Sequence, residues 1–285
     1  MAQVTVAKPK AKHVVLICFD GWTTKSLSET NKIPNIQDLM DRGCYTLHKR
    51  SVLPSSSAVN WATMLMGACP AMHGYLQWDS QKPEIPSVVT NQHGIFPTIF
   101  SVLKEQHPQA VTGCFYDWIG IKYVIDTLAV DRQSYDPDGE PVPEPNCQKA
   151  AQFIKDSKPM LAMVYFGSLD YYGHSKGYDG AEYIQGLERL DKCVGTLVQA
   201  VKDAGIFDDT IFIISADHGG INKGHGGKTK EEMLTPFVIC GKNVKDGGEF
   251  KDVMMQFDVA PTIAYALGLQ TPDIWIGKPM KQTFK

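Results

Sequence analysis

This 285-residue sequence has no apolar stretch approaching the ~20 residues that a membrane-spanning helix needs. The longest early apolar run, residues 14–19, has the length of a buried strand. Lysine and arginine are not gathered into a stripe, and 28 basic residues are balanced by 31 acidic ones for a net charge of -3. We therefore expect neither a transmembrane segment nor binding to a nucleic-acid polymer.

The sequence also lacks two further kinds of signal. Its seven cysteines include no CxxC pair, so neither a thiolate zinc site nor a thioredoxin-type motif is indicated. Their number is odd, which allows at most three disulfides and leaves the redox compartment open. The first 13 residues are polar and lysine-bearing, without the apolar core of a signal peptide. We expect residues 1–12 to be a flexible segment ahead of a single α/β domain.

Strand-like and helix-like segments alternate along the chain. Apolar runs predict strands at residues 14–19, 110–116, 160–166, 210–215 and 237–240, and helical spacing predicts helices at residues 33–43, 58–66, 96–106, 147–155, 181–204 and 259–267. Residues 131–146, dense in Pro, Asp, Gly and Glu, are predicted to form a surface loop on the substrate side. The alternation predicts an α/β fold with a mostly parallel central sheet sandwiched by helices.

Three predicted strands end in side chains of metal-ligand type: Asp20; Asp170 with His174; and Asp217, His218 and His225. Carboxylate and imidazole groups without thiolates suit Zn²⁺ or a similar divalent ion at a catalytic site. The spacing of Asp170 and His174 places both on one face of a helix. The glycines after His218 allow the backbone to turn. Six such side chains would serve two metal ions.

Each of these residues also has a purely structural interpretation. Asp20 before Gly21 is a common turn pair. Asp170 and His174 are equally compatible with a helix-start carboxylate and an exposed imidazole. Two glycine-flanked histidines at strand exits have no packing role, and the joint occurrence of all six residues favours a site. The remaining histidines, His13, His48, His93 and His107, are interpreted as ordinary surface or core residues.

Residues 55–57 are serines that precede a predicted helix, where backbone N–H groups point at anions. Counting from Ser57, the sequence has Gly67 ten, Pro70 thirteen, His73 sixteen and Gly74 seventeen residues later. This register resembles the alkaline phosphatase superfamily. The resemblance covers nearly the whole chain, because Asp170-Tyr-Tyr-Gly-His174, Ser215-Ala-Asp-His-Gly219, Gly224-His-Gly226 and the tail from Asp258 to Gly268 match as well.

The resemblance implies that Ser57 is the nucleophile at a site with two divalent metal ions, expected to be Zn²⁺. It implies the following ligands: Asp170, His174 and His225 for one ion, and Asp20, Asp217, His218 and Ser57 for the other. It also implies that Asn60 hydrogen-bonds a phosphoryl oxygen. Metal coordination would favour the serine alkoxide, and departure of the alcohol would leave a phosphoserine intermediate.

Departures from the family pattern separate its branches. Sulfatases need proline and arginine two and four residues after the nucleophile, where this chain has Val59 and Trp61. The resemblance is closer to the nucleotide pyrophosphatase and phosphodiesterase branch, which implies hydrolysis of a small-molecule phosphate ester or diester. The short segment between His218 and His225 also resembles ethanolamine-phosphate transferases. A phosphomonoesterase and an inactive metal-binding module are further alternatives.

The resemblance implies a periplasmic or secreted setting and leaves the oligomeric state open. Five aromatic residues are candidates for a wall that stacks against a leaving group: Trp61, Tyr75, Trp78, Tyr116 and Trp118. Aromatic residues more often belong to the core, so this assignment has a structural alternative.

Overall fold

The computed structural model describes residues 8–285. Its strands are β1 (His13–Phe19), β2 (Cys44–Arg50), β3 (Thr112–Tyr116), β4 (Arg132–Tyr135), β5 (Leu161–Phe166), β6 (Thr210–Ala216), β7 (Leu234–Gly241) and β8 (Gly248–Glu249). They form one sheet in the order β4-β3-β5-β1-β6-β7-β2-β8. Only β7 runs antiparallel to its neighbours, β6 and β2, among the described strands. The predicted mostly parallel sheet is confirmed.

Helices cover both faces of the sheet. They are α1 (Pro34–Asp41), α2 (Ser57–Met66), α3 (Pro70–His73), α4 (Ile99–Gln106), α5 (Ile121–Val124), α6 (Glu144–Ser157), α7 (Ser168–Lys176), α8 (Ala181–Asp203), α9 (Lys230–Met233) and α10 (Val259–Leu267). Alternate residues of β1 enter two different apolar clusters, Leu16 on the side of α2, α4 and α10 and Ile17 on the side of α1, α6 and α8. Burial on both faces explains why β1 is a continuous apolar run.

Residues 131–146 differ from the predicted loop. They contain β4, which pairs in parallel with β3, and the first turn of α6. The residues of β4 are half-buried or exposed and mostly polar, as an edge strand allows, so no apolar run marks them. The edge position is therefore the reason that the sequence pattern predicts a loop here.

The predicted flexible segment, residues 1–12, lies partly outside the described residues. Within the described part, the N–H groups of Lys10 and Ala11 donate to the carbonyl of Ala266, and that of Lys12 donates to Asp209. This part of the segment is thus attached to the domain. No helix within residues 8–285 is long and apolar enough to cross a membrane.

Candidate functional site

Three neighbouring strands at the centre of the sheet, β5, β1 and β6, carry the candidate site at their carboxyl ends. Asp20 follows β1 and Asp217 follows β6. Helix α7 starts directly after β5 and carries Asp170 in its first turn and His174 one turn later. The carboxyl ends of parallel strands meet at one edge, which is where ligands bind in open α/β sheets. The fold therefore gathers residues that are far apart in the sequence.

His218 lies at the centre of the first group of ligands. Its Nε2 atom is 3.3 Å from Asp20 Oδ1, 3.1 Å from Asp217 Oδ2 and 3.2 Å from Ser57 Oγ. All four side chains are buried. Asp20 Oδ1 and Asp217 Oδ2 have no hydrogen-bond partner within residues 8–285. Two buried carboxylate oxygens without donors are costly unless a cation is bound between them.

The second group, Asp170, His174 and His225, lies beside the first. His174 Nε2 is 3.3 Å from Asp170 Oδ2, and His225 Nε2 is 3.6 Å from Asp170 Oδ1. The two Nε2 atoms are 3.1 Å apart. The His225 ring stacks on that of His218 with centroids 3.7 Å apart, which joins the two groups. We call these six candidate ligands together the ligand cluster.

The three histidines of the ligand cluster share one hydrogen-bond arrangement. Each Nδ1 atom faces a backbone carbonyl: that of Gly219 for His218 at 2.7 Å, Ser55 for His225 at 2.9 Å and Lys223 for His174 at 2.9 Å. A carbonyl only accepts, so each Nδ1 carries a proton, and each Nε2 points into the cluster, where it offers a lone pair when the imidazole is neutral. Metal-binding histidines are oriented in this way.

The three carboxylates of the ligand cluster are oriented by donors outside it. Tyr165 donates to Asp20 Oδ2 at 2.6 Å and Trp61 Nε1 to the same oxygen at 3.0 Å. The N–H of Gly21 donates to Asp217 Oδ1 at 3.1 Å, and the Tyr178 hydroxyl donates to Asp170 Oδ1. In both Asp20 and Asp217, one oxygen is held by the protein and the other is left for the cluster. Nitrogen and oxygen donors of this kind fit Zn²⁺ or a similar divalent ion.

The electrostatics of the ligand cluster also favour a bound cation. Burial, and then the charge of Asp20, raise the pKa of Asp217 well above its usual range. Burial and the neighbouring His218 lower the pKa of His225 to about 4, so His225 is neutral at pH 7. Burial alone would lower the pKa of His218, but Asp217 and Asp20 raise it to about 10. Without a metal ion, His218 is therefore protonated at pH 7 and pairs with the Asp217 and Asp20 carboxylates. A divalent ion would compete with this proton for the same carboxylates.

Ser57 is the first residue of α2 and lines the cavity over the ligand cluster. Its side chain is 5% exposed, so water has limited access to the hydroxyl. The N-terminus of a helix favours negative charge, both on an alkoxide and on a phosphoryl group. The sequence prediction that this serine opens a helix next to the metal-ligand residues agrees with its position.

Asn60, for which the resemblance implied a bond to a phosphoryl oxygen, is not among the residues that line the cavity. Its Nδ2 group donates to the carbonyls of Val52, Pro54 and Ser56 at 3.2, 3.0 and 3.0 Å. Its Oδ1 atom accepts the Val52 N–H at 2.8 Å. The carboxamide is fully buried, and both of its N–H groups are engaged by backbone carbonyls. Asn60 instead holds the loop that leads into α2.

A cavity of about 940 Å³ opens over the ligand cluster. Of the five aromatic candidates, Trp78 and Trp118 line it, whereas Trp61, Tyr75 and Tyr116 are buried and do not. Tyr171 and Glu140 are among the lining residues that were not singled out from the sequence. Tyr171 lies inside the Asp170–His174 motif, and Glu140 lies in the segment predicted to serve the substrate side. The sequence therefore contained an indication that each residue lies near the site.

Comparison with known proteins agrees with this geometry. The family model described as type I phosphodiesterase / nucleotide pyrophosphatase matches residues 14–225. The chain belongs to this family. The predicted membership of the nucleotide pyrophosphatase and phosphodiesterase branch is thereby confirmed, and the matched span includes all six residues of the ligand cluster together with Ser57.

Two curated relatives illustrate how this phosphodiesterase-family chain compares in sequence. A 2,3-bisphosphoglycerate-independent phosphoglycerate mutase of Rhodopirellula baltica is 28% identical over 164 residues, which are 54% of this chain and 28% of the relative. Ectonucleotide pyrophosphatase/phosphodiesterase family member 1 of Mus musculus is 23% identical over 222 residues, 75% of this chain and 24% of the relative. The chain thus spans about a quarter of the length of these relatives.

Among solved structures, murine ectonucleotide pyrophosphatase / phosphodiesterase 5 superposes with a TM-score of 0.75 at 15% identity. The match covers 96% of this chain and 100% of that chain. At this identity the likeness concerns the fold, and it confirms the alkaline-phosphatase-like α/β architecture.

Proposed function

We propose that this phosphodiesterase-family chain is a metal-dependent hydrolase that cleaves phosphodiesters through a covalent phosphoserine at Ser57. The observation that carries the proposal is the 3.2 Å separation of Ser57 Oγ from Nε2 of His218, the residue whose ring stacks on His225 of the second group. A nucleophile beside a cluster of metal-type ligands in a cavity is the arrangement expected for metal-assisted phosphoryl transfer. Family membership supports phosphoric ester chemistry.

We propose the same ligand sets for two divalent ions, with Zn²⁺ as the expected metal. One ion would be held by Asp170, His174 and His225, and the other by the set Asp20, Asp217, His218 and Ser57. The unpartnered oxygens of Asp20 and Asp217 and the uniform Nε2 orientation of the histidines support this assignment. When bound, such ions would stabilise the serine alkoxide and the charge on the phosphoryl oxygens.

The residues of the chain then have defined tasks. Ser57 Oγ attacks the phosphorus atom and gives up its proton to solvent, the bond from phosphorus to the departing alcohol breaks, and that alcohol takes up a proton from solvent. The phosphoryl group, with the second ester substituent of the diester still attached, remains on the serine. In the second step a water molecule attacks this phosphorus atom, the bond to Ser57 Oγ breaks, and a phosphomonoester is released while the serine hydroxyl is restored. The N-terminus of α2 favours the negative charge on the phosphoryl oxygens in both steps. Asn60 remains the residue that the resemblance implies for a further bond to a phosphoryl oxygen, and in the ligand-free protein its carboxamide is hydrogen-bonded to the loop before α2.

The test compares bis-p-nitrophenyl phosphate with p-nitrophenyl phosphate on the zinc-loaded protein. We expect the diester to be preferred, and predominant turnover of the monoester would refute the diesterase assignment. Ser57→Ala should abolish turnover while zinc content is retained, because the six protein ligands remain. Ser28→Ala is the matched control, since its hydroxyl is exposed and bonds only the carbonyl of Lys25. Unchanged rates in Ser57→Ala would show that the nucleophile is elsewhere.

A phosphoryl transferase is the second candidate, because the short segment from His218 to His225 resembles that of ethanolamine-phosphate transferases. The cavity is large enough for an acceptor alcohol. Adding glycerol to the diester assay distinguishes the two: a transferase forms a glycerol phosphodiester in competition with water, and a hydrolase does not. We also propose a periplasmic or secreted setting, which fractionation of the source cells would test.

A further inference from the structure

A fully buried lysine, Lys49, reaches the carboxyl end of β6, the strand that leads into Asp217. The pairing of β2 with β7 shifts its register between Thr46 and Lys49, and an irregularity of this kind re-aims a side chain. The Lys49 ammonium group donates to the carbonyl of Ala216 at 2.7 Å and to the side-chain oxygen of Gln256. Neither acceptor is a carboxylate. Burying an ammonium group against neutral oxygens is costly, which indicates a role other than packing.

The Ala216 carbonyl lies at the point where β6 and β7 stop pairing. The last matched pair of these strands is Ser215 with Phe237, one residue before Ala216. Besides Lys49, the Nε2 group of Gln256 donates to the Ala216 carbonyl, at 3.2 Å. Two side chains therefore hold the carbonyl at which the backbone pairing with β7 ends.

The next carbonyl along the chain, that of Asp217, is also held by a side chain. The hydroxyl of Ser51, the residue that follows β2, donates to it at 2.5 Å. The Ala216 and Asp217 carbonyls belong to the two peptide groups on either side of the Asp217 α-carbon. Fixing both peptide groups therefore fixes the direction in which the Asp217 side chain leaves the backbone.

Gln256 also connects the exit of β6 to helix α2. Its Nε2 group, which donates to Ala216, donates as well to the carbonyl of Asn60 at 3.3 Å. Asn60 lies in the first turn of α2, which begins at Ser57. Gln256 is fully buried, and Lys49 engages its side-chain oxygen. One amide thus joins the strand that leads to the candidate ligands and the helix that begins at the proposed nucleophile.

We propose that Lys49 and Gln256 are positioning residues, which hold the exit of β6 against helix α2. They thereby set the distance between Ser57 and the ligands that follow β6, which is 3.2 Å from Ser57 Oγ to His218 Nε2. This inference rests on the proposed function, because it concerns the placement of that nucleophile.

The proposed role predicts a specific kinetic effect. A displacement of about 1 Å costs on the order of a hundredfold in rate, so loss of Gln256 should lower kcat at least about tenfold. Neither Lys49 nor Gln256 is among the residues that line the cavity, so KM should change by less than about twofold.

The experiment measures kcat and KM for bis-p-nitrophenyl phosphate with the zinc-loaded full chain. Gln256→Met removes the amide and retains a side chain of similar length. Thr112→Val is the matched control, because Thr112 is also fully buried but bonds Ala129 and Asp131 at the start of β3, the end away from the site. It should keep the wild-type kcat even if it loses stability. An equal loss of kcat in Thr112→Val would show that kcat follows stability and would overturn the inference.

A double variant separates positioning from a purely structural role. In Lys49→Met/Gln256→Met both partners become apolar, so no ammonium group is left buried without its acceptor. Its free energy of unfolding in urea should therefore exceed that of Gln256→Met, and it decides the question if Gln256→Met does not fold. Its kcat should stay at least about tenfold below wild type, because the Ala216 carbonyl still lacks both donors. Recovery of kcat along with stability would refute the positioning role.

Zinc binding separates this inference from the proposed function, because chelator competition needs no turnover. If the wild type hydrolyses the diester and both variants of Gln256 keep kcat within about twofold, the positioning role is overturned and the phosphodiesterase assignment is intact. A wild type that does not hydrolyse the diester refutes the function. In that case, zinc affinity roughly tenfold weaker in Gln256→Met than in wild type and Thr112→Val supports the positioning role, and equal affinities refute it.

Discussion

Tyr165 orients Asp20 through a buried hydrogen bond of 2.6 Å, and its replacement by phenylalanine removes only the hydroxyl. Trp61 then remains as the second donor to the same Asp20 oxygen, at 3.0 Å. A buried hydrogen bond to a charged group is worth about 1.5 to 3 kcal/mol. At about 1.4 kcal/mol per factor of ten, this predicts a loss of roughly ten- to a hundredfold in zinc affinity.

The assay is a competition titration of the metal-free protein with zinc and a chelator of known affinity. Tyr75→Phe is the control, because its hydroxyl is also largely buried but donates to the carbonyl of Tyr123, away from the ligand cluster. Tyr165→Phe should weaken zinc binding while Tyr75→Phe should not. Zinc affinities that agree within about twofold in wild type and Tyr165→Phe would refute the view that this hydroxyl orients a metal ligand.

Three further predictions concern buried polar groups. Burial lowers the pKa of Lys49 from its ordinary value of 10.5 to about 7. Between these two pH values the unfolded chain therefore binds more protons than the folded one. The free energy of unfolding should therefore rise between pH 7.5 and 9, by at most about 1.4 kcal/mol per pH unit, and Lys49→Met should lack this rise. Urea denaturation measures both, and equal pH slopes in wild type and Lys49→Met would contradict this prediction. Asn60→Ala should lower the free energy of unfolding by about 3 kcal/mol, because it leaves buried backbone groups unpaired, and a loss below about 1 kcal/mol in the same assay would be inconsistent with the structure. Burial raises the pKa of Asp217, so Asp217→Asn should raise the melting temperature of the metal-free protein. The same variant should lose most of the increase in melting temperature that zinc produces. Calorimetry that shows the wild-type increase in Asp217→Asn would exclude Asp217 as a ligand.

The fold could be predicted well where burial is complete. The run before Asp20 is apolar because β1 is covered on both faces, and the strands around it were found for the same reason. The edges were harder. The strand Cys44–Arg50 alternates between buried and more open positions, and Arg132–Tyr135 is largely polar, so neither has a continuous apolar run. Both depend on backbone pairing with partners that sequence periodicity does not identify.

The candidate site was predictable in its residue types and less so in its orientations. Glycine-flanked histidines such as His218 and His225 have few structural uses, so their presence pointed to a site. Asn60 shows the limit of this reasoning, since a buried amide near a nucleophile has two possible sets of partners. The loop before α2 supplies three carbonyls and one N–H that the carboxamide satisfies, and only the folded backbone reveals them.

The position of the ligand-bearing strands has a consequence for how this domain tolerates change. The strands β5, β1 and β6 are neighbours, with two strands beyond them on one side and three on the other. Segments inserted next to β8 would enlarge the periphery and leave the geometry of the ligand cluster undisturbed. A reporter protein or a second module could accordingly be grafted at this border without displacing the six residues of the cluster.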